Sequence, residues 1–598
     1  MASTRRDFIK TTMLGAGSSM MLGGLPLRAF GVNKKTSNTT KKLVIIQLHG
    51  GNDVLNFFPP SVGTPQREVY VYKRPRISLP ASGRRSTLSL GLEDDFSLHP
   101  DMIGLKQLWD QGKVALVPNV GTDINNGSHF RGRDIRAMGG GFNDYYGSGW
   151  VARFLEHKLG SAIDNYPDEF PSDTYPDPLS LELGVLSPSL PFHFSDKLPA
   201  SIAVSSPSAF NSLVNGDDLD APDGSGGLEG INDNEQETTI GMGKIGYPPA
   251  SLVDTGYYSQ MDWLINLERD ADKYSFRIKE VYEAGGGDDR QANYPVKYPF
   301  APTNGGTNPL SQNLKNIVTL INGGIDTQVF LVRMGGFDTH ADQVESYDSS
   351  LGDHASKAYH LSQALAAFQE DLAAIGREED VITITTSEFS RQIADNGFGT
   401  DHGWATYDLV VGKAINGGVV KENDGTSLAP TEEELLNSRD LKYKTDYRRV
   451  YTTLLKHWFD VDDADIPSII DPNYGSITAQ EDSANWEGAA KYLSFLGNVS
   501  TDSTRIKQSL FHAIQLAAPY PNPATDMASL ELNVPYQAAF TLKLYNQKGK
   551  FIKTFFNEKE LQEGLQVIAL ELTDIKAGQY FISLSAEGMS KTTKLLKI

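Results

Sequence analysis

Four short stretches carry residue types suited to metal-assisted chemistry. They are Asp53 in HGGND, Ser128 with His129 and Arg131 in GSHFR, Asp338 with His340 in GGFDTH, and Glu388 followed by Asp401 and His402 between Val381 and Trp404. Carboxylates, neutral imidazoles and a hydroxyl form a hard-to-borderline donor set, suited to zinc, manganese, magnesium or calcium. A divalent ion held by some of Asp53, Asp338, His340, Glu388, Asp401 and His402 would polarise an ester oxygen. It would also lower the pKa of Ser128 or of a bound water, which makes Ser128 and His129 the candidate catalytic groups. Arg131, with Arg133 and Arg391 close to these groups in sequence, could hold an anionic substrate through paired hydrogen bonds. Each residue also has a plainer role open to it. Ser128 could cap a helix beginning near Phe130, and the carboxylates could sit in ordinary salt bridges. His354 and His360 are read as solvated or packed.

Each of the four stretches follows an apolar run of strand length. Lys41–Leu48, Lys113–Val120, Gln328–Met334 and Val381–Thr386 are β-branched-rich and continuous rather than alternating, as strands buried on both faces are. In a parallel sheet the carboxyl ends of the strands converge on one edge, so groups far apart in sequence can meet there. Helices are expected over Leu98–Gly112, Gly147–Leu155, Ala358–Ile375 and Asp446–Trp458 from their apolar spacing. The expected fold is therefore α/β, a mainly parallel sheet flanked by helices. Between about 161 and 307 the pattern weakens and Pro, Asp, Gly and Tyr become frequent. That stretch is read as an insertion or cap beside the core, with one helix around Tyr257–Tyr282 and a flexible acidic loop over Asn215–Gly230.

The chain has 598 residues, enough for a large core and an additional domain, and a formal charge of −21. That charge offers no basic surface to nucleic acid. With no cysteine in the sequence, thiolate nucleophiles, disulfides, iron–sulfur clusters and cysteine zinc sites are excluded. Residues 1–31 form a targeting segment rather than fold: Arg5-Arg6 precede a mild apolar run over Thr11–Leu25, the twin-arginine export pattern. No other segment approaches the ~20 continuous apolar residues of a membrane span. Pro519-Tyr520-Pro521-Asn522-Pro523 marks a second boundary. Beyond it, short alternating runs separated by turn residues predict a small β-sandwich over 517–598, leaving 41–510 for the α/β domain.

The stretches HGGNDVLN, GSHFR, GGFDTHADQ, SEFSR and TDHGW, occurring in that order, resemble domain-of-unknown-function family 1501 over most of Lys41–Phe459. That family resembles the alkaline phosphatase-like superfamily of phosphatases, sulfatases and cofactor-independent phosphomutases. The resemblance implies metal binding by Asp53, a nucleophilic Ser128, one metal on Asp338 and His340 with His402 completing it, and a second metal site after the later strand. Two departures stand out: Glu388-Phe389 replaces an Asp-His pair, and Asp338 and His340 lie closer together than is usual. A single metal, a calcium-like site or a degenerate site all remain open. YPNPATD, KLYNQKGK, LTDIKAGQYFISL and the basic tail are similar to the type IX secretion sorting domain of Bacteroidetes. With the twin-arginine start, this implies export through the periplasm, to a secreted or cell-surface location, by the twin-arginine and type IX machinery. The implied function is a secreted metal-dependent hydrolase of phosphate or sulfate esters acting on an anionic ester or sugar. The alternative is a non-catalytic surface or matrix protein with a degenerate site that binds polyanions or sugars.

Overall fold

The structure, a computed structural model, describes residues 41–90, 95–124, 127–160, 177–185, 201–207, 274, 277–300, 308–422, 425–471, 492–496, 515–534, 538–546, 550–562, 564–586 and 589–598. The chain divides into two compact units, with the change at Leu496/Gly497. Within the described residues no helix is long and apolar enough to cross a membrane.

The first unit is built on a nine-stranded sheet. In chain order its strands are β1 (Lys42–Leu48), β2 (Val114–Gly121), β3 (Ser180–Leu183), β4 (Ser201–Val204), β5 (Val329–Met334), β6 (Val381–Ser387), β7 (Thr406–Val411), β8 (Gly418–Val419) and β9 (Thr445–Asp446). They lie in the order β8-β2-β7-β6-β1-β5-β3-β4, with β9 also on β2. β1 runs parallel to both β5 and β6, and β3 parallel to β4 and β5. The exception is β7, antiparallel to β2 and β6. All seven residues of β1 and all seven of β6 are buried, which is why both read as unbroken apolar or β-branched runs. The four strands expected from sequence thus share one sheet, shifted by no more than a residue or two.

Helices cover the sheet: α1 (Pro65–Lys73), α2 (His129–Met138), α3 (Trp150–Leu159), α4 (Pro309–Asn322), α5 (Asp353–Ala374) and α6 (Arg448–Thr453). α5 starts earlier than its apolar spacing suggests and buries Leu361, Leu365, Phe368 and Leu372. The helix expected from Leu98 begins only at Ile103, because Ser97–Leu98 pairs with Leu88–Ser89 as a short strand. Leu454–Trp458 continues α6 with a wider π-type turn.

The stretch read as a cap behaves differently where it is described. β3 and β4 come from it and continue the central sheet instead of standing beside it. Their four-residue lengths, amid Pro and Asp, gave no usable period. Residues 277–284 are helical; the rest of the expected helix, the acidic loop and the twin-arginine segment lie outside the described residues.

The second unit contains two antiparallel sheets, one of three strands and one of four. Leu530, Leu532, Phe540, Leu542, Leu544, Ile582, Leu584 and Leu595 form a common core between them. The strand Met527–Val534 alternates exposed and buried at every residue, the pattern of a sheet covered on one face.

Candidate metal centre

The site forms where β1, β2, β5 and β6 end. After β1 the chain turns through Gly50 and Gly51, both in the left-handed region at φ +120° and +76°. A Cβ on Gly50 would lie 2.3 Å from the Asp338 backbone nitrogen, so only glycine lets the β1 and β5 loops meet. After β6, residues 390–392 form a short ladder with 401–404. Gly403 N donates to Ser390 O at 2.7 Å, and Gln392 N to Asp401 O at 3.0 Å. That ladder carries His402 back to the end of β1. α2 supplies His129 at its first position, and Gly132 lets the helix sit against Glu388, where a Cβ would come within 2.9 Å of the Glu388 Cβ.

Three side chains from three loops converge. His129 Nε2 lies 3.1 Å from His402 Nε2. Asp338 Oδ1 is 3.4 Å from the first and 3.2 Å from the second. Their ligand atoms all fall within 4.8 Å of one another, as no other described group of three does. His340 Nδ1 lies 3.0 Å from Asp338 Oδ1 on the exposed side.

The opposite nitrogen of each central histidine already has an acceptor. His129 Nδ1 is 2.7 Å from Glu388 Oε1, and His402 Nδ1 is 2.8 Å from the Gly127 carbonyl oxygen. A proton on each Nδ1 satisfies those contacts and turns both Nε2 lone pairs onto one point, beside a carboxylate. Facing lone pairs at this range suit a shared cation, whether a proton that makes one ring the donor to the other or a metal ion. Four donors arranged tetrahedrally at ~2.0–2.2 Å from zinc stand ~3.3–3.6 Å apart. Of the observed separations, 3.4 Å lies within that range and 3.1 and 3.2 Å lie just below it. Two imidazoles, a carboxylate and an acceptor behind each imidazole make a donor set that suits such an ion.

The charges are anchored from below. Arg391 is buried and donates to the carbonyls of Gly50, Gly51, Phe337 and Thr400, and through Nη2 to Asp338 Oδ1 at 2.5 Å. It ties the loops together and aims Asp338. Burial pushes the Asp338 carboxyl up, but the Arg391 hydrogen bond and charge outweigh this and hold it at about 2. Glu388 behaves alike: burial raises it, while the His129 contact and the backbone N–H of Gly50 bring it below the usual carboxylate range. Burial pushes His49, beside Arg133, down to about 4.

Several residues expected in the site have other partners. Asp53 is fully buried and gives both oxygens to Arg74 Nη1, at 2.8 and 2.6 Å, and one to Gln343 Nε2 at 2.5 Å. A guanidinium neutralises it, and it is not one of the three converging residues. Glu388 stands behind His129 as its acceptor, not as a donor to the central point. Asp401 takes a hydrogen bond from Asn396 Nδ2 at 2.8 Å on the outer side of its loop. Ser128 is the N-cap of α2, its hydroxyl accepting from Arg131 N at 3.4 Å. Arg131 donates to the carbonyls of Phe142 and Asp144 and lies 4.0 Å over the Tyr145 ring, so its guanidinium holds the loop after α2. Arg391, read as a possible anion clamp, is occupied by carbonyls. The structure adds Gly127, whose carbonyl orients His402, and Arg74, which lies at the C-cap of α1; neither has a sequence signature.

Residues 315–470 match the family described as Protein of unknown function (DUF1501), and residues 518–598 match the secretion system C-terminal sorting domain. The first match contains Asp338, His340, Glu388 and His402; His129 lies before it. Two solved structures are similar at low TM-score. One is a protein in the alkaline phosphatase superfamily from Vibrio parahaemolyticus, 11% identical, covering 88% of this chain and 84% of that one, TM-score 0.25. The other is the lipoteichoic acid synthase LtaP from Listeria monocytogenes, 8% identical, covering 73% and 81%, TM-score 0.23. A search of curated proteins found no match.

Proposed function

We propose that this chain is an exported, metal-dependent hydrolase of phosphate or sulfate esters, with one divalent ion per chain held by His129, Asp338 and His402. The observation that carries this reading is the pair of Nε2 atoms 3.1 Å apart, each with its Nδ1 already given to an acceptor. A bound ion there supplies Lewis acidity to an ester oxygen and acidifies a water. The protein's own groups do the rest. Glu388 and the Gly127 carbonyl hold the imidazole tautomers, and Arg391 holds the Asp338 carboxylate. His340, half exposed at 3.0 Å from Asp338, is placed to pass a proton to or from the reacting group. With the Ser128 hydroxyl occupied as a helix cap, water is the attacking group in this proposal. The sorting domain at 518–598 supports delivery outside the cell or to its surface, and the Arg5-Arg6 pattern supports a periplasmic stage before it.

The test begins with metal analysis of the purified full chain, followed by a panel of phosphate and sulfate monoesters and diesters. The expectation is about one equivalent of metal, lost in His402→Ala, and turnover that chelation abolishes and metal restores. A protein that takes up no divalent ion, or hydrolyses esters equally well after His129→Ala and His402→Ala, would overturn the reading.

A further inference from the structure

An open cleft of about 570 Å³ begins at His402 and is lined also by Asp123, Gly127, Trp404, Arg439 and Asp440. We propose that this cleft is a carbohydrate subsite, with the Trp404 ring as platform and Asp123, Asp440 and Arg439 as hydroxyl partners. The proposal rests on the hydrolase reading for one point only, that the ester group lies beside His402. It then assigns the remainder of the substrate to a sugar.

The lining selects this class by its chemistry. It holds two carboxylates against one guanidinium, so it does not attract a polyanion. The chain's −21 formal charge deepens that bias. Ile124 is the sole aliphatic residue in the lining, so the cleft does not suit an acyl chain either. An aromatic ring among short carboxylates and a guanidinium answers a polyol, whose C–H faces lie on the ring while its hydroxyls bond to charged oxygens and nitrogens.

The ring is held in place for this purpose. Trp404 Nε1 donates to the Thr122 carbonyl at 2.9 Å, and its ring leans on Tyr443 at 5.6 Å. Only Gly403 separates Trp404 from His402 along the chain, and both line the cleft, so a sugar on Trp404 would carry its substituents toward the three converging donors. Arg439 differs from the other arginines of the region. Arg74, Arg131, Arg136 and Arg391 spend their guanidinium groups on protein acceptors. The Arg439 side chain is 73% exposed, and among the described residues its ion-pair partner is the Asp440 carboxylate, at 3.8 Å. Its solvent-exposed guanidinium is accessible to a ligand in the cleft.

The experiment uses the full-length protein and a glycan array of neutral oligosaccharides with their sulfated and phosphorylated counterparts. Hits are then titrated calorimetrically against wild type, Trp404→Ala, Trp404→Phe, Arg439→Gln and the Asp123→Asn/Asp440→Asn pair, with metal content and melting temperature recorded for each. Binding of neutral as well as esterified sugars is expected. It should weaken on the order of tenfold in Trp404→Ala, recover in Trp404→Phe, and weaken in the other two. No glycan binding, or binding untouched by Trp404→Ala in a protein that still melts normally, overturns the proposal. Salt-sensitive binding of sulfated chains alone overturns it too, because that is a charge effect without a ring. Sugar binding without metal would leave the subsite standing and remove the hydrolase. Metal-dependent hydrolysis of simple esters without sugar binding would do the reverse.

Discussion

Replacing Glu388 by Gln tests whether the centre depends on the group behind His129. The side chain is 1% exposed, and its Oε1 accepts from both His129 Nδ1 at 2.7 Å and Gly50 N at 2.8 Å. Glutamine keeps the shape, and its amide oxygen accepts both contacts. Two things are lost. The charge goes, reducing a charge-assisted contact to an ordinary one, a change of ~1 kcal/mol. The new NH₂ takes the place of Oε2, a buried atom with no hydrogen-bond partner among the described residues, and burying an unpartnered donor costs ~1–3 kcal/mol. The metal-free protein should therefore lose roughly 2–4 kcal/mol of stability. Removing the carboxylate behind a metal-binding imidazole weakens metal binding by ~10–100-fold. If zinc is supplied at ~100 times the wild-type Kd, it stabilises wild type by ~2.7 kcal/mol, and Glu388→Gln by only ~0.4–1.4 kcal/mol. Chelator competition gives the affinity, and denaturant unfolding with and without zinc gives the linkage. A variant that loses the metal-free stability yet keeps zinc affinity within about twofold would refute the argument. It would leave Glu388 as a prop for the Gly50 turn.

Asp53→Ala and Asp53→Asn should each cost ~3–5 kcal/mol in denaturant unfolding, because Arg74 is left charged and buried, while metal stoichiometry stays the same. Loss of metal from a folded Asp53 variant would return that carboxylate to the ligand set. Ser128→Ala should cost about 1 kcal/mol by thermal unfolding and Ser128→Asp a few tenths, since Asp caps as well as Ser. Ester turnover abolished in Ser128→Ala at full metal content would instead make Ser128 the nucleophile. Burial lowers the Lys42 ammonium, which donates to the Ile325 and Thr327 carbonyls, from 10.5 to about 8. Between those values the unfolded chain holds the proton more tightly, so stability rises with pH by ~1.4 kcal/mol per pH unit, about 3 kcal/mol in full. Urea unfolding from pH 8 to 10 should show this slope in wild type and lose it in Lys42→Met; identical slopes would refute it.

The sheet was legible because burial on both faces removes the need for alternation. KLVIIQL in β1 and VITITTS in β6 admit few other placements at that length. β3 and β4 were not legible, because four residues such as SLEL carry no period and take their place from pairing with β5. Residue types at the strand ends were also legible, and their roles were not. Asp53 and Asp338 look alike in sequence, each a carboxylate just past a core strand and a pair of glycines. What separates them is which cation arrives. Arg74 reaches Asp53 from the end of α1 with no solvent left, whereas Arg391 holds Asp338 by Oδ1 and leaves the side chain 47% exposed, with that same oxygen facing His129 and His402. The same holds for the imidazoles. His354 is buried against Asn52 and Phe57, while His402 shows its Nε2 only because Gly127, on a loop from a different strand, takes its Nδ1. A polar side chain at a strand end remains available for chemistry when the fold divides it between partners that hold it in place and a side left open to solvent. That division is decided by loop geometry over hundreds of residues, beginning with Gly50, where a single Cβ would push the Asp338 loop away and dissolve the point at which the three donors meet.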